Sequence, residues 1–396
     1  MSTPSKAQLW LSLDNVARLA LSIPLAECST FAVNPLKWLR FLGFTIYGRE
    51  GYLSTSKDGP EIDDYTANIE ARSYYFVSEG EARLVDVDAM DDRTSDARWD
   101  DSYSDESYLT NRRRDFSESV VARDGTCVIT GDIEQNCIAC HILPHSKGSN
   151  YILNIVHHRG GTDDSADGLN DINDTRNGLL LINFLHRPFG AGKLAFLKTP
   201  NFALTVDDIP YHQPKEADGE SPASRLTLHH FVDSPLLGVV IPKFAPHNSD
   251  ARQPQDTSKW PPAIIVDLFY ATAALNAWSP KSFLKYVRKR SRDAYYDDDQ
   301  DGGNALDGSG PSHVDAQMGD QASGHSGSEH YRKKPSNITT RQLEKRRVLD
   351  LLDGVSALWM RTSRVDKPKP EGVCAADPAR NESVKKWLQS MEDSIN

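Results

Sequence analysis

From residue 297 to about 337 the chain offers almost nothing from which to build a core, being rich in Gly, Ser, Asp and Gln. Such a composition does not repay the conformational entropy of folding, so disorder is the expectation there. This break separates a body of nearly three hundred residues from a shorter C-terminal piece. In the latter, Leu343, Val348, Leu351, Leu352, Val355, Leu358 and Trp359 recur at spacings of three and four. That pattern predicts an amphipathic helix over 342–360, and a second short helix is expected around 384–391.

The body divides by composition. Residues 1–95 read as a small α+β unit. Leu9, Leu11 and Leu13 alternate with Ser12 and Asp14, then Val16, Leu19 and Ala20 fall at helical spacing. The stretch 38–47 has the β-branched and aromatic make-up of a strand, bounded by Gly48 and Gly51, and 74–85 has a hairpin pattern. The acidic run from Asp86 to Asp105 looks like a linker, and the boundary between the two units is set at 96–106. A second unit spans 107–250: a helix over 111–121, short strands at 127–130 and 138–143, a helix over 152–158, and a polar loop over 160–167. Apolar 179–182, a hairpin of 194–197 with 202–204, and a strand at 226–231 complete it. Residues 260–292 read as helical, 297–340 as linker, and 341–396 as a helical tail. The fold class expected is α+β.

Several function classes fall away. No run of 18 apolar residues exists, so no membrane-spanning helix is expected. The apolar start, Leu9 to Leu25, is broken by polar residues and lacks the flanks of a secretory signal. Five cysteines are too few and odd in number for a disulfide scaffold, which points to a reducing, intracellular compartment. With 45 basic against 56 acidic residues, net −11, a wholly basic nucleic-acid-binding surface is excluded, though a local basic patch is not. Two basic clusters stand out, Arg112–Arg114 and the group Lys285, Arg288, Lys289, Arg290 and Arg292 with Tyr286 among them. Such clusters track phosphate backbones or act as nuclear-import signals, and more ordinarily form solvated helix faces. Asp297–Asp299 follow the second cluster directly and partly cancel its field.

The residues that carry chemistry begin at Cys127. The chain reads Cys127-Val-Ile-Thr-Gly, then Cys137-Ile-Ala-Cys140-His141-Ile-Leu-Pro-His145, then Asp171-Ile-Asn-Asp174-Thr-Arg176-Asn177-Gly-Leu-Leu-Leu, then Leu185-His186-Arg187-Pro-Phe189. A histidine before Ile-Leu-Pro, an Asn-Gly-Leu-Leu-Leu and a Leu-His-x-x-Phe, in that order, resemble the HNH endonuclease family. The wider wording, including Arg123-Asp-Gly-Thr-Cys127 and Ala195-Phe-Leu-Lys-Thr-Pro-Asn-Phe202, is similar to a fungal, basidiomycete branch of it. The likeness is strongest over 110–210.

The resemblance implies a ββα-metal finger that hydrolyses phosphodiester bonds of nucleic acid, DNA by preference. It implies His141 as general base, a role an imidazole suits near neutral pH. Asn177 would orient the hairpin and His141, and His186 would ligate one divalent metal, Mg²⁺, Mn²⁺ or Zn²⁺. Arg176 and Arg187 flank these residues as candidate phosphate contacts, with ordinary salt bridges the competing reading.

The chain departs from the family in a long gap of 36 residues between His141 and Asn177, and at one position. Much of the family has an acid just before the first histidine, as second metal ligand, and here that residue is Cys140. Thiolate suits Zn²⁺ far better than Mg²⁺. Asp174 is the candidate replacement ligand, with Asp171 and His145 behind it. Cys127, Cys137 and Cys140 are also compatible with a structural zinc, or with small buried hydrophobes. A second reading is therefore a non-catalytic nucleic-acid or protein interaction module built on a zinc-stabilised HNH scaffold. A third gives the N-terminal unit the partner-binding role. Oligomeric state is not legible.

Overall fold

The computed structural model describes residues 5–90, 111–160, 166–212, 222–231 and 237–296. All lie in one compact unit, Met1–Gln317. The sequence expectations at 96–106, 297–340 and 341–396 lie outside the described residues.

The first layer is a four-stranded sheet of order β2-β1-β4-β3. Strand β1 (Lys6–Leu13) buries Ala7, Leu9, Leu11 and Leu13 on one face, the period-2 pattern the alternation promised. The chain turns at Asp14 and Asn15, both in the left-handed region (φ 52° and 62°), and returns as β2 (Val16–Pro24) antiparallel to β1. The helical spacing read for Val16, Leu19 and Ala20 is thus corrected to a strand. Asn and Asp tolerate positive φ well, and the two-residue turn fixes the hairpin. After helix α1 (Leu25–Phe31) comes α2 (Pro35–Tyr47), where a strand was expected. Pro35 opens the helix and Gly48, at φ 83°, closes it. Trp38, Leu39, Leu42, Thr45 and Ile46 recur at three- and four-residue spacing and are buried, and this periodicity overrides the aromatic composition. A Cβ on Gly43 would stand 2.4 Å from the Phe76 ring, so helix and sheet meet where the chain has no side chain.

Strand β3 (Tyr52–Ser54) pairs with β4 (Ser73–Val77), and β4 lies parallel to β1. The hairpin expected over 74–85 is absent, because the partners of β4 come from residues far away in sequence. The beginning of the acidic run is not linker either. Val85, Asp86, Val87 and Ala89 are buried, and the Asp86 carboxylate accepts hydrogen bonds from Tyr151 and Tyr296, each 2.7 Å.

The second layer holds helix α3 (Asn111–Asp124), strand β5 (Cys137–His141), helix α4 (Gly148–Arg159), strand β6 (Gly178–Ile182) and helix α5 (Asn183–Gly190). Residues 127–130 form a turn rather than a strand, with one bridge between Thr126 and Ile133. A third sheet has order β7-β8-β9, from β7 (Leu194–Thr199), β8 (Arg225–His230) and β9 (Ser249–Asp250). The partner of β7 is β8, not 202–204 as expected. Helix α6 (Leu237–Phe244) precedes β9. The helical stretch 260–292 is two helices, α7 (Ala263–Trp278) and α8 (Lys281–Tyr295), parted at Ser279-Pro280.

Helix α7 is the hub. Every residue from Ile265 to Leu275 is buried, as a helix surrounded by protein requires. It packs on β7, α2, β2 and α4. Tyr270 joins the layers: its hydroxyl accepts from Trp38 Nε1 at 2.9 Å and lies 2.6 Å from His229 Nδ1.

Candidate active site

Strands β5 and β6 form an antiparallel hairpin in which His141 faces Gly178 and Cys137 faces Ile182. Successive side chains point to opposite faces. Cys137 and Ala139 pack against the cluster of Phe116, Val120 and Leu180. His141, on the same face, lies flat on Phe116, the ring centroids 3.8 Å apart and the planes within 11°. Gly178 makes room for that stack, since a Cβ there would come within 2.6 Å of the Phe116 ring.

His141 Nε2 is 3.2 Å from Asn173 Oδ1. With the amide oxygen as acceptor, the imidazole carries its proton on Nε2 and its lone pair on Nδ1. Asn173 is itself held. Its backbone N–H donates to Asp171 Oδ1 (3.0 Å), the same oxygen accepts from Ser149 Oγ on α4 (3.1 Å), and Ile172 N–H donates to Ser149 Oγ (3.2 Å). The His145 ring stands 5.6 Å from that of His141, edge on. Sequence reasoning missed Asn173, which carries no signal beyond being an amide among Asp and Asn residues.

Asn177 is fully buried. Its Oδ1 accepts from Leu143 N–H at 2.9 Å, and its Nδ2 donates to the carbonyls of Leu143 (3.0 Å) and Ile172 (2.9 Å). Its backbone carbonyl accepts from Ile142 N–H at 2.9 Å. One side chain thus ties the residues after His141 to the loop that carries Asn173.

A buried ion pair braces the same corner. Arg123 grips Asp124 with two hydrogen bonds of 2.6 and 2.8 Å and donates to the carbonyls of Thr175, Gly178 and Lys259. Asp124 accepts from Leu180 N–H at 2.9 Å. The pair ties the end of α3 to β6 with every polar atom used, which is what a buried pair requires.

Cys140 and Asp174, two of the proposed metal ligands, are each engaged within the fold, as is Arg176, a proposed phosphate contact. Cys140 is fully buried, its thiol donates to the Ile138 carbonyl, and burial pushes its pKa far up, which keeps the proton on sulfur. Asp174 caps the turn Thr175–Asn177 by accepting from Arg176 N–H and is gripped by the Arg176 guanidinium at 2.8 and 3.1 Å. Burial disfavours its charge, but the Arg176 hydrogen bonds prevail and hold the carboxyl below its usual range. Arg176 is thereby folded onto its own loop, with a further bond to the Asp167 carbonyl. His186 and Arg187 are half-buried on α5, which packs against both strands of the hairpin.

Cys127 and Cys137 do come together. The Cys137 thiol lies beside Cys127 Sγ and donates to the Ile133 carbonyl (3.2 Å), while Cys127 Sγ accepts the N–H groups of Thr130 (3.4 Å) and Ile182 (3.3 Å). The neighbouring Cys137 thiol foremost, and then these donors, outweigh burial and lower the Cys127 pKa. Among the described residues no three His, Cys, Asp or Glu side chains converge to hold a metal ion.

Residues 127–197 match a family model described as HNH endonuclease. The resemblance read from the residues is thereby found independently over this segment, which contains the hairpin, α4 and α5. No curated protein and no solved structure matches the chain. No helix among the described residues is long and apolar enough to cross a membrane.

Proposed function

We propose that the HNH segment at 127–197 makes this chain an endonuclease that hydrolyses phosphodiester bonds of nucleic acid, DNA foremost. The single observation that carries the reading is the setting of His141, at the end of β5, stacked on Phe116 and bonded through Nε2 to Asn173. In that tautomer Nδ1 accepts the proton of a water attacking phosphorus, as a general base does. The Asn173 carbonyl then faces the N–H of the imidazolium and stabilises it. Asn177 is a positioning residue: it ties the residues after His141 to the loop that carries Asn173 without touching substrate.

HNH endonucleases generally use a divalent metal. Of the candidate ligands, His186 suits such an ion by chemistry. Cys140 does not fit, being a buried protonated thiol, and neither does Asp174, whose oxygens are taken by Arg176. That same burial of Cys140 favours one competing reading, a non-catalytic binding module on the HNH scaffold. Cys127 and Cys137 would then be the residues to hold a structural zinc, with Cys140 outside it.

The test is relaxation of supercoiled plasmid by metal-stripped protein resupplied with Mg²⁺, Mn²⁺ or Zn²⁺, beside His141→Ala. Cutting by the wild type that disappears in the variant supports the endonuclease. Zinc at one per folded chain with no cutting under any metal moves the assignment to the binding module.

A further inference from the structure

Helix α8 (Lys281–Tyr295) lies outside the matched segment and carries an excess of cations in a chain of net charge −11. Phe283, Val287, Ser291 and Tyr295 form its buried face. At 3.6 residues per turn, Arg288, Lys281, Arg292, Lys285 and Lys289 fall within an arc of about 100° beside that face. All five are exposed. They form a ridge about 16 Å long, from Lys281 to Arg292, at 1.5 Å per residue.

The acids of the N-terminal layer meet α8 at two places. Asp88 pairs with Arg288 at 2.7 Å, and Asp14 pairs with Arg290, on the other side of the helix, at 3.1 Å. Lys281, Lys285 and Lys289 have no carboxylate partner among the described residues. Spaced four apart, they repel one another and weaken the helix. A counter-charge from outside the chain removes that cost.

The C-terminal end of α8 contacts the segment that follows His141. At the close of α8, Asn154 Nδ2 donates to the Tyr295 carbonyl and Lys147 Nζ donates to the Tyr296 hydroxyl at 2.5 Å. Lys147 also lies over the rings of Tyr151 and Tyr296. It is two residues from His145, whose ring is 5.6 Å from His141. Lys147 therefore links the end of α8 to the loop that follows His141.

We infer that the α8 ridge, led by Lys281, Lys285 and Lys289, is a docking track for the phosphate backbone of nucleic acid. It binds the strand beyond the point of cleavage. Its length matches about five nucleotides at 3.4 Å of rise each. The inference rests on the endonuclease reading for its partner, and it is tested by binding rather than cutting.

The experiment uses the full chain carrying His141→Ala and a fluorescent 20-base-pair duplex, as DNA and as RNA, over a salt series. Each phosphate contact contributes close to −0.9 to the slope of log K against log salt, so Lys281→Gln with Lys285→Gln and Lys289→Gln lowers its magnitude by about 3. A control set, Lys6→Gln with Lys243→Gln and Lys259→Gln, removes the same charge at exposed sites elsewhere. The expected result is a shallower slope for the ridge set and an unchanged slope for the control. Whichever duplex shows the change identifies the nucleic acid. An unchanged slope for the ridge set, an equal loss in the control set, or no binding of either duplex overturns the track. An intact ridge effect with a wild type that never cuts counts against the endonuclease alone.

Discussion

His141 rests face to face on Phe116, 3.8 Å between centroids, and the glycine opposite it in the hairpin, Gly178, is the residue that leaves space for this stack. The catalytic histidine proposed here is positioned from below by an aromatic of α3, from the side by Asn173, and through the backbone by Asn177. Each of these supports fails in a different and measurable way.

Phe116→Leu keeps apolar bulk in the cluster with Val120 and Leu180 but removes the flat ring. The stability cost is expected to stay under about 1.5 kcal/mol. The cleavage rate is expected to fall about 10- to 100-fold, because the imidazole loses its fixed plane. Thermal unfolding beside single-turnover cleavage separates the two effects. A loss of stability with full activity would show that the stack is only core.

Asn177→Ala leaves Leu143 N–H and the carbonyls of Leu143 and Ile172 without their buried partner. Each orphaned group costs about 1–3 kcal/mol, so a destabilisation of at least about 3 kcal/mol is expected in urea unfolding. A change below about 1 kcal/mol would mean that the site relaxes to re-pair these groups.

Asn173 is only part-buried, so its replacement is expected to act on rate rather than stability. Asn173→Asp places a carboxylate on His141 Nε2, favours the imidazolium, and moves the acid limb of the pH–rate profile upward. Asn173→Ala lowers the rate without that upward move. Identical profiles for all three proteins would remove Asn173 from the site.

Away from the hairpin, His229, His230 and His247 cluster between β8 and α7. Burial lowers all three pKa values, His247 to about 4, and mutual repulsion adds to the effect at His229 and His247. Because the folded values lie below the unfolded value of about 6.5, the unfolded chain binds protons first as pH falls. Stability is therefore whole above about pH 6.5 and is lost progressively toward about pH 4. Asp174 and Asp208, held below their usual 3.8, act only in a lower window. Melting temperature measured from pH 7.5 to 4.5 is expected to fall through this range, and a flat profile would contradict the buried neutral cluster.

Much of this was legible in the sequence, for reasons that particular residues make plain. The order His141, Asn177, His186 with its apolar flanks is a local signature, and the stretches 111–121, 152–158 and 260–292 read as helical from their own residues. What was hidden depends on partners distant in sequence. Helix α2 has strand-like composition but buries Trp38 and Ile46 against α7 and the first sheet. Strand β4 pairs with β1 and β3 rather than with the residues that follow it, 82–85. Asp86 looks like solvated acid until Tyr151 and Tyr296 close on it. The Asn173–His141 bond spans 32 positions and the Arg123–Asp124 clamp reaches carbonyls 52, 55 and 136 positions away, and no spacing rule points to them.

The most direct test is single-turnover cleavage of an end-labelled DNA duplex by wild type, His141→Ala and His141→Gln at matched fold, judged by melting temperature. The expected result is metal-stimulated cleavage by the wild type and a drop of about 10²- to 10⁴-fold in both variants, the range for loss of a general base. Cleavage by the variants at the wild-type rate, or none by the folded wild type with any metal, would contradict the assignment of His141 as the base of a nuclease.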